Sequence, residues 1–109
     1  MAGGVTDPLE RFQQDYAPLL LRHLARRDES GLQAAYQLGR RAMQESVGLL
    51  DVVRVHNDLF LEVLTTVRDL DEVTDLTAAA SALLIDLVAS YEVAQRGFMD
   101  VRRGQGVHE

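Results

Sequence analysis

Apolar residues recur at spacings of three and four along almost the whole chain, which is the period of amphipathic helices, and the apolar/polar alternation of half-buried strands is scarce. Four segments carry the pattern. The first is predicted over Pro8 to Arg27, with Asp7 as its N-cap, Pro8 at the first helical position and Glu10 three residues beyond the cap. Leu9, Phe12, Tyr16, Leu19, Leu20 and Leu24 form its apolar face, and Pro18 predicts a kink or a broken turn near Asp15. The second helix is predicted over Ser30 to Glu45, with Leu32, Ala35, Tyr36, Gly39, Ala42 and Met43 on one face. A glycine in that face costs about 1 kcal/mol of helix propensity against alanine, and the expected compensation is close approach of a neighbouring helix.

After a break at Ser46-Val47-Gly48, the third helix is predicted over Leu49 to Val67, with Leu49, Val52, Val53, His56, Leu59, Phe60, Val63, Leu64 and Val67 facing inward. The acidic stretch Arg68 to Asp75 reads as the longest connection. A fourth helix follows over Leu76 to Val101, capped by Thr74 or Asp75. Ala80, Leu83, Leu87, Tyr91, Ala94, Phe98 and Val101 give it a near-heptad core line. Leu84, Ile85 and Val88 make it apolar on a second side between Ala78 and Ala89. Arg102 onward reads as a frayed tail.

The reading is therefore all-α: an antiparallel four-helix bundle over residues 8–103, between a flexible N-terminus (1–7) and a flexible tail (104–109). A bundle of 109 residues has a marginal core. The surplus apolar side of the fourth helix therefore points to a partner surface, and a second copy of the chain is the simplest occupant, giving a homodimer.

Composition narrows the chemistry. The chain has no cysteine, so thiolate nucleophiles, thiolate metal sites and disulfides are excluded. All eleven basic residues are arginine, which excludes a Schiff-base or phosphate-loop lysine. The net charge is −6 and is carried by residues 56–109, the first half being neutral; this disfavours nucleic acid and anionic membranes as partners. The N-terminus lacks a signal-peptide pattern, and no uninterrupted apolar run approaches the ~20 residues of a membrane span.

Candidate catalytic groups are few. His56 lies on an apolar helix face, where a satisfied core histidine outweighs a ligand or a pH switch; His23 reads as a surface or helix-end residue, and His108 falls in the tail. No His-x-x-x-His or Glu-x-x-His spacing provides a metal site, and no cofactor is expected. Asp51 with Asp58, or Asp86 with Glu92, are carboxylate pairs that flank apolar stripes and read as solvated. The doublets Arg26-Arg27 and Arg40-Arg41 read as surface ion-pairing residues rather than a phosphate site.

A set of short motifs, in order, is more specific. Tyr16, Leu19, Leu20 and Arg22 form a Tyr-x-x-Leu-Leu-x-Arg pattern. Ser30 and Leu32 open a helix that ends in Arg40-Arg41. Val52, Val53, Arg54, Val55 and His56 follow, then Leu84-Ile85-Asp86-Leu87-Val88, Tyr91 and Ala94-Gln95. Over roughly residues 12–103 the chain resembles the N-terminal domain of RsbU-type PP2C phosphatases of bacterial stress signalling.

The resemblance implies a four-helix, homodimeric, cytoplasmic regulatory domain, similar in architecture to the C-terminal domain of KaiA and without enzymatic activity of its own. It implies capture of an RsbT-like switch kinase that activates a linked phosphatase in sigma-factor regulation. Carried over by position, the docking surface falls on Glu29, Gln33, Ile85 and Ala89; Glu29 and Ile85 keep the family's residue character, whereas Gln33 and Ala89 depart from it. With no phosphatase domain before the end at Glu109, the chain is expected to be a fragment or a stand-alone adaptor. Two readings from other classes stand beside this one: a small-ligand sensor with a closed apolar pocket near His56, and an enzyme using His56 with Asp58 or Asp51.

Overall fold

The computed structural model describes the backbone of residues 7–107 and the side chains of residues 7–101. Within that range the secondary structure is entirely helical: α1 (Pro8–Arg26), α2 (Glu29–Gln44), α3 (Leu49–Leu64) and α4 (Leu70–Val107). The flexible segment expected over residues 1–7 lies, apart from Asp7, outside the described residues, as do residues 108–109 of the expected tail.

The capping chemistry read from the sequence sets the start of α1. The Asp7 side chain accepts from the Leu9 amide at 3.4 Å, and Pro8, which has no N–H to satisfy, occupies the first turn. Of the kink or broken turn expected near Asp15 from Pro18, the broken turn does not occur: α1 runs without interruption to Arg26. Pro18 and Gln14, whose carbonyl loses its partner, are both on the solvent side, where water can serve that carbonyl. Tyr16 and Leu20, on the opposite side, are fully buried and hold the helix in place. Arg27 ends α1 in the left-handed region (φ 58°), its amide donating to the His23 carbonyl at 2.8 Å. Asp28 then caps α2, accepting from the Gly31 amide at 3.3 Å and the Ser30 hydroxyl at 2.6 Å. The Ser30 hydrogen bond, with the Gly31 amide and the charges of Arg22 and Arg26, holds the Asp28 carboxyl below its ordinary range.

The segment expected to be a connection is instead the beginning of α4. Asp69 accepts from the Asp71 amide at 3.1 Å, so it takes the capping role assigned to Thr74 or Asp75. Asp71 and Glu72 fill the first turn, where the helix dipole favours negative charge. The acidity that reads as loop is thus a helix-start signal. At the other end the helix does not stop at Val101 but continues through residue 107, over most of the expected tail.

The core is made by Phe12, Tyr16, Leu20 and Leu24 of α1, Ala35, Leu38 and Ala42 of α2, Val52 and Val55 of α3, and Leu76, Ala80, Leu83, Leu87 and Tyr91 of α4, with Val47 from the α2–α3 turn. Some expected positions move. On α2 the buried residues are Gly31, Ala35, Leu38, Gly39 and Ala42, with His23 of α1 against Gly31 and Leu87 of α4 against Gly39; Tyr36 is turned out and is 46 % exposed. On α3, Val55 is buried and Val53 is exposed. On α4, Phe98 and Val101 are exposed.

Helix directions follow from paired contacts. The Arg11–Glu45 and Asp15–Arg41 ion pairs set α1 and α2 running in opposite senses. Arg27 with Asp75 (2.6 Å), Gly39 against Leu87, and the Val47 carbonyl accepting from the Tyr91 hydroxyl (2.6 Å) set α2 and α4 running in the same sense. These two helices, which a square up-and-down arrangement would place on opposite corners, form the most extensive interface in the molecule. The expected close approach at Gly39 is present: a Cβ there would overlap the Leu87 carbonyl oxygen and Ser90 Oγ. The stretch Leu70–Val101 of α4 is, by length and composition, long and apolar enough to cross a membrane, although no single uninterrupted run suggests it. Its inward residues Leu76, Ala80, Leu83, Leu87 and Tyr91 are buried by the protein's own helices.

Candidate functional site

The same-sense packing of α2 and α4 brings together residues far apart in sequence. Positions 29, 32, 33 and 36 recur on one face of α2, and Asp86 on α4 stands across from them. Glu29, Leu32, Gln33, Tyr36 and Asp86 enclose a depression of about 280 Å³. Ile85 and Ala89 do not line it but stand beside it on α4, one turn apart. Both are exposed, Ile85 by 65 %, while Leu83, Leu87 and Tyr91 on the same helix are buried. The two apolar sides of α4 thus divide: one builds the core, and the other is open at Ile85.

Tyr36 is shared with a second, larger groove of about 700 Å³ along the same seam, whose apolar walls include Met43, Val93, Ala94 and Phe98. Sequence reasoning missed Tyr36, which it placed in the core, and read Asp86 as a solvated carboxylate within a family motif, not as a site residue. The signal for Tyr36 was its spacing of seven from Glu29 and three from Gln33, which puts all three on one helical side. No ion pair of Glu29 or Asp86 occurs among the described residues. Elsewhere the protein matches acids and arginines across its helices, in Arg11–Glu45, Arg41–Asp15 and Arg27–Asp75. One arginine of each doublet, Arg27 and Arg41, is engaged in this way.

The histidines have different surroundings. His56 Nδ1 lies 2.5 Å from the Tyr16 hydroxyl, and its ring sits between those of Tyr16 and Phe60. Burial pushes the Tyr16 phenol well above its ordinary range, so it keeps its proton, and the hydroxyl and Nδ1 share one hydrogen bond whose direction follows the imidazole tautomer. Burial also lowers the His56 pKa, which favours the neutral ring. No hydrogen bond joins His56 to Asp51 or Asp58 among the described residues. His23, expected at the surface, is only 5 % exposed, and its Nδ1 has no hydrogen-bond partner. Its ring rests on Gly31, where a Cβ would come within 2.5 Å of Nδ1, so α1 and α2 meet there as a ring on a glycine. Among the described residues no three His, Asp or Glu side chains cluster as metal ligands.

The His56 arrangement sets a pH dependence. The native ring resists protonation, whereas the unfolded chain takes up the proton near pH 6.5. Stability is therefore complete above that value and falls as pH drops below it, toward the lower native pKa. Urea midpoints at pH 7.5 and 5.5 should diverge more for the wild type than for His56→Gln, which retains an acceptor for Tyr16. Equal divergence would remove His56 from the acid response.

In comparison with known proteins, a family model described as "Phosphoserine phosphatase RsbU, N-terminal domain" matches residues 14–94, from the middle of α1 to the later turns of α4. No curated protein and no solved structure matches the chain.

Proposed function

Because the chain belongs to the RsbU N-terminal domain family, we propose that it is a regulatory interaction domain that dimerises and recruits an RsbT-like switch kinase in sigma-factor signalling, in the service of a PP2C-type phosphatase. The observation that carries the reading is the exposed Ile85, next along α4 to Asp86, which lines the α2/α4 depression with Glu29 and Gln33. An aliphatic side chain left in water next to polar groups is the anatomy of a small interface, with an apolar centre and a polar rim. Burying one isoleucine is worth roughly 1.5–3 kcal/mol, or about one to two decades in affinity.

In this reading the domain performs no chemistry, and its role is to bring the kinase to the phosphatase. Ile85→Asp is expected to abolish binding of the purified switch kinase in calorimetry while circular dichroism remains helical, because the residue lies outside the core. Undiminished binding by that variant would show that the docking surface lies elsewhere. Sedimentation or light scattering should give twice the 12.1 kDa chain mass; a monomer at micromolar concentration would remove the dimer from the proposal.

A further inference from the structure

We propose that the depression between α2 and α4 is the seat for an arginine side chain of the docking partner. The proposal rests on the switch-kinase reading above and specifies its chemistry. Four observations carry it. The depression is bounded by two carboxylates on opposite helices, Glu29 on α2 and Asp86 on α4. Neither has an ion pair among the described residues, although the chain joins its helices elsewhere by three acid–arginine pairs. Asp86 is half-buried, so its carboxylate is held at the α2/α4 seam instead of extending freely into water. The Tyr36 ring, 46 % exposed, closes the depression at the end toward the larger groove.

These groups suit a guanidinium better than an ammonium. A planar cation can lie over the face of Tyr36 and direct its fork of N–H donors to carboxylates on both sides. Leu32 supplies an apolar wall for the methylenes of the arginine stem. Ile85, next to Asp86, then provides the apolar contact outside the seat. Residues 56–109 carry the whole −6 charge, so the chain as a whole attracts a basic partner. The proposed occupant is therefore an arginine presented by the partner's contact surface, flanked there by apolar residues that cover Ile85.

The test is calorimetric titration of the purified chain with the RsbT-like switch kinase of the same organism at 50 and 300 mM salt. Glu29→Gln with Asp86→Asn should weaken binding by about 10–100-fold and flatten its salt dependence, with the circular dichroism spectrum unchanged. Tyr36→Leu should weaken it by about 5–10-fold with the salt dependence retained. Charge reversal at both positions (Glu29→Arg, Asp86→Arg) should abolish binding, and a kinase variant with its contacting arginine changed to glutamate should restore it. If the neutral double variant binds as tightly as the wild type, with the same salt slope, while Ile85→Asp still abolishes binding, the arginine seat is wrong and the docking reading stands. A wild-type chain that does not bind the kinase overturns both.

Discussion

Gly39→Ala is expected to lower the melting temperature by about 10–15 °C, although it replaces the second-worst helix former with the best. The added methyl has nowhere to go. Its position coincides with the Leu87 carbonyl oxygen and Ser90 Oγ on α4, and the nearer of these is backbone, which cannot rotate aside. To admit it, α2 must move off α4 along the most extensive interface in the protein. Overpacking a core costs about 1–3 kcal/mol, and a backbone obstacle puts this case at the upper end. Subtracting the helix-propensity gain of about 1 kcal/mol leaves a net loss near 2 kcal/mol. Gly97→Ala is the control, because a Cβ there meets nothing within 4 Å. The same chemical change, on the same helix pair, should raise the melting temperature by a few degrees. If Gly39→Ala melts no lower than the wild type, the close contact of the two helices is absent in solution.

Tyr16→Ala should come close to unfolding the protein. Tyr16 is fully buried and stacks on Phe12 with ring centroids 5.5 Å apart, and it supplies the hydrogen bond to His56. Truncating a buried aromatic costs about 3–5 kcal/mol, and a buried imidazole nitrogen left without a partner adds about 1–3 kcal/mol. A small domain has about 5–15 kcal/mol in total, so the variant should be largely unfolded at 37 °C by circular dichroism. Tyr16→Phe separates the two contributions. It keeps the ring and loses only the hydroxyl, and it should cost about 1–3 kcal/mol in urea denaturation. A phenylalanine variant as stable as the wild type would show that the hydroxyl–imidazole bond adds nothing to folding.

Much of the fold was legible because its signals are local. Asp7 with Pro8 marks a helix start in any context, and the glycine within an apolar helical face announces a close neighbour. What was misread depends on which neighbour a helix has. Tyr36 and Leu38 are both apolar and both fit a helical stripe. Only the positions of α1, with His23 against Gly31, and of α4, with Leu87 against Gly39, decide that Leu38 turns inward and Tyr36 outward. His23 looked like a surface residue because arginines flank it in sequence, yet its ring fills the space that Gly31 leaves. The start of α4 was missed for a different reason: Asp69, Asp71 and Glu72 satisfy a helix N-terminus and a polar loop equally well, and only the helical backbone bond from the Val73 amide to the Asp69 carbonyl (3.0 Å) separates the two. In the candidate site, the family resemblance supplied Glu29 and Ile85, but the pairing of Glu29 with Asp86 required knowing that α2 and α4 lie side by side in the same sense.

That side-by-side arrangement has a thermodynamic consequence for recognition. Every side chain proposed to meet the partner is carried by one of two helices clamped backbone to backbone at Gly39, and none sits on a loop. Such a surface is already shaped before encounter, so complex formation forfeits little main-chain freedom. Association should then resemble rigid docking, with affinity changes among surface variants appearing chiefly as altered lifetimes of the complex.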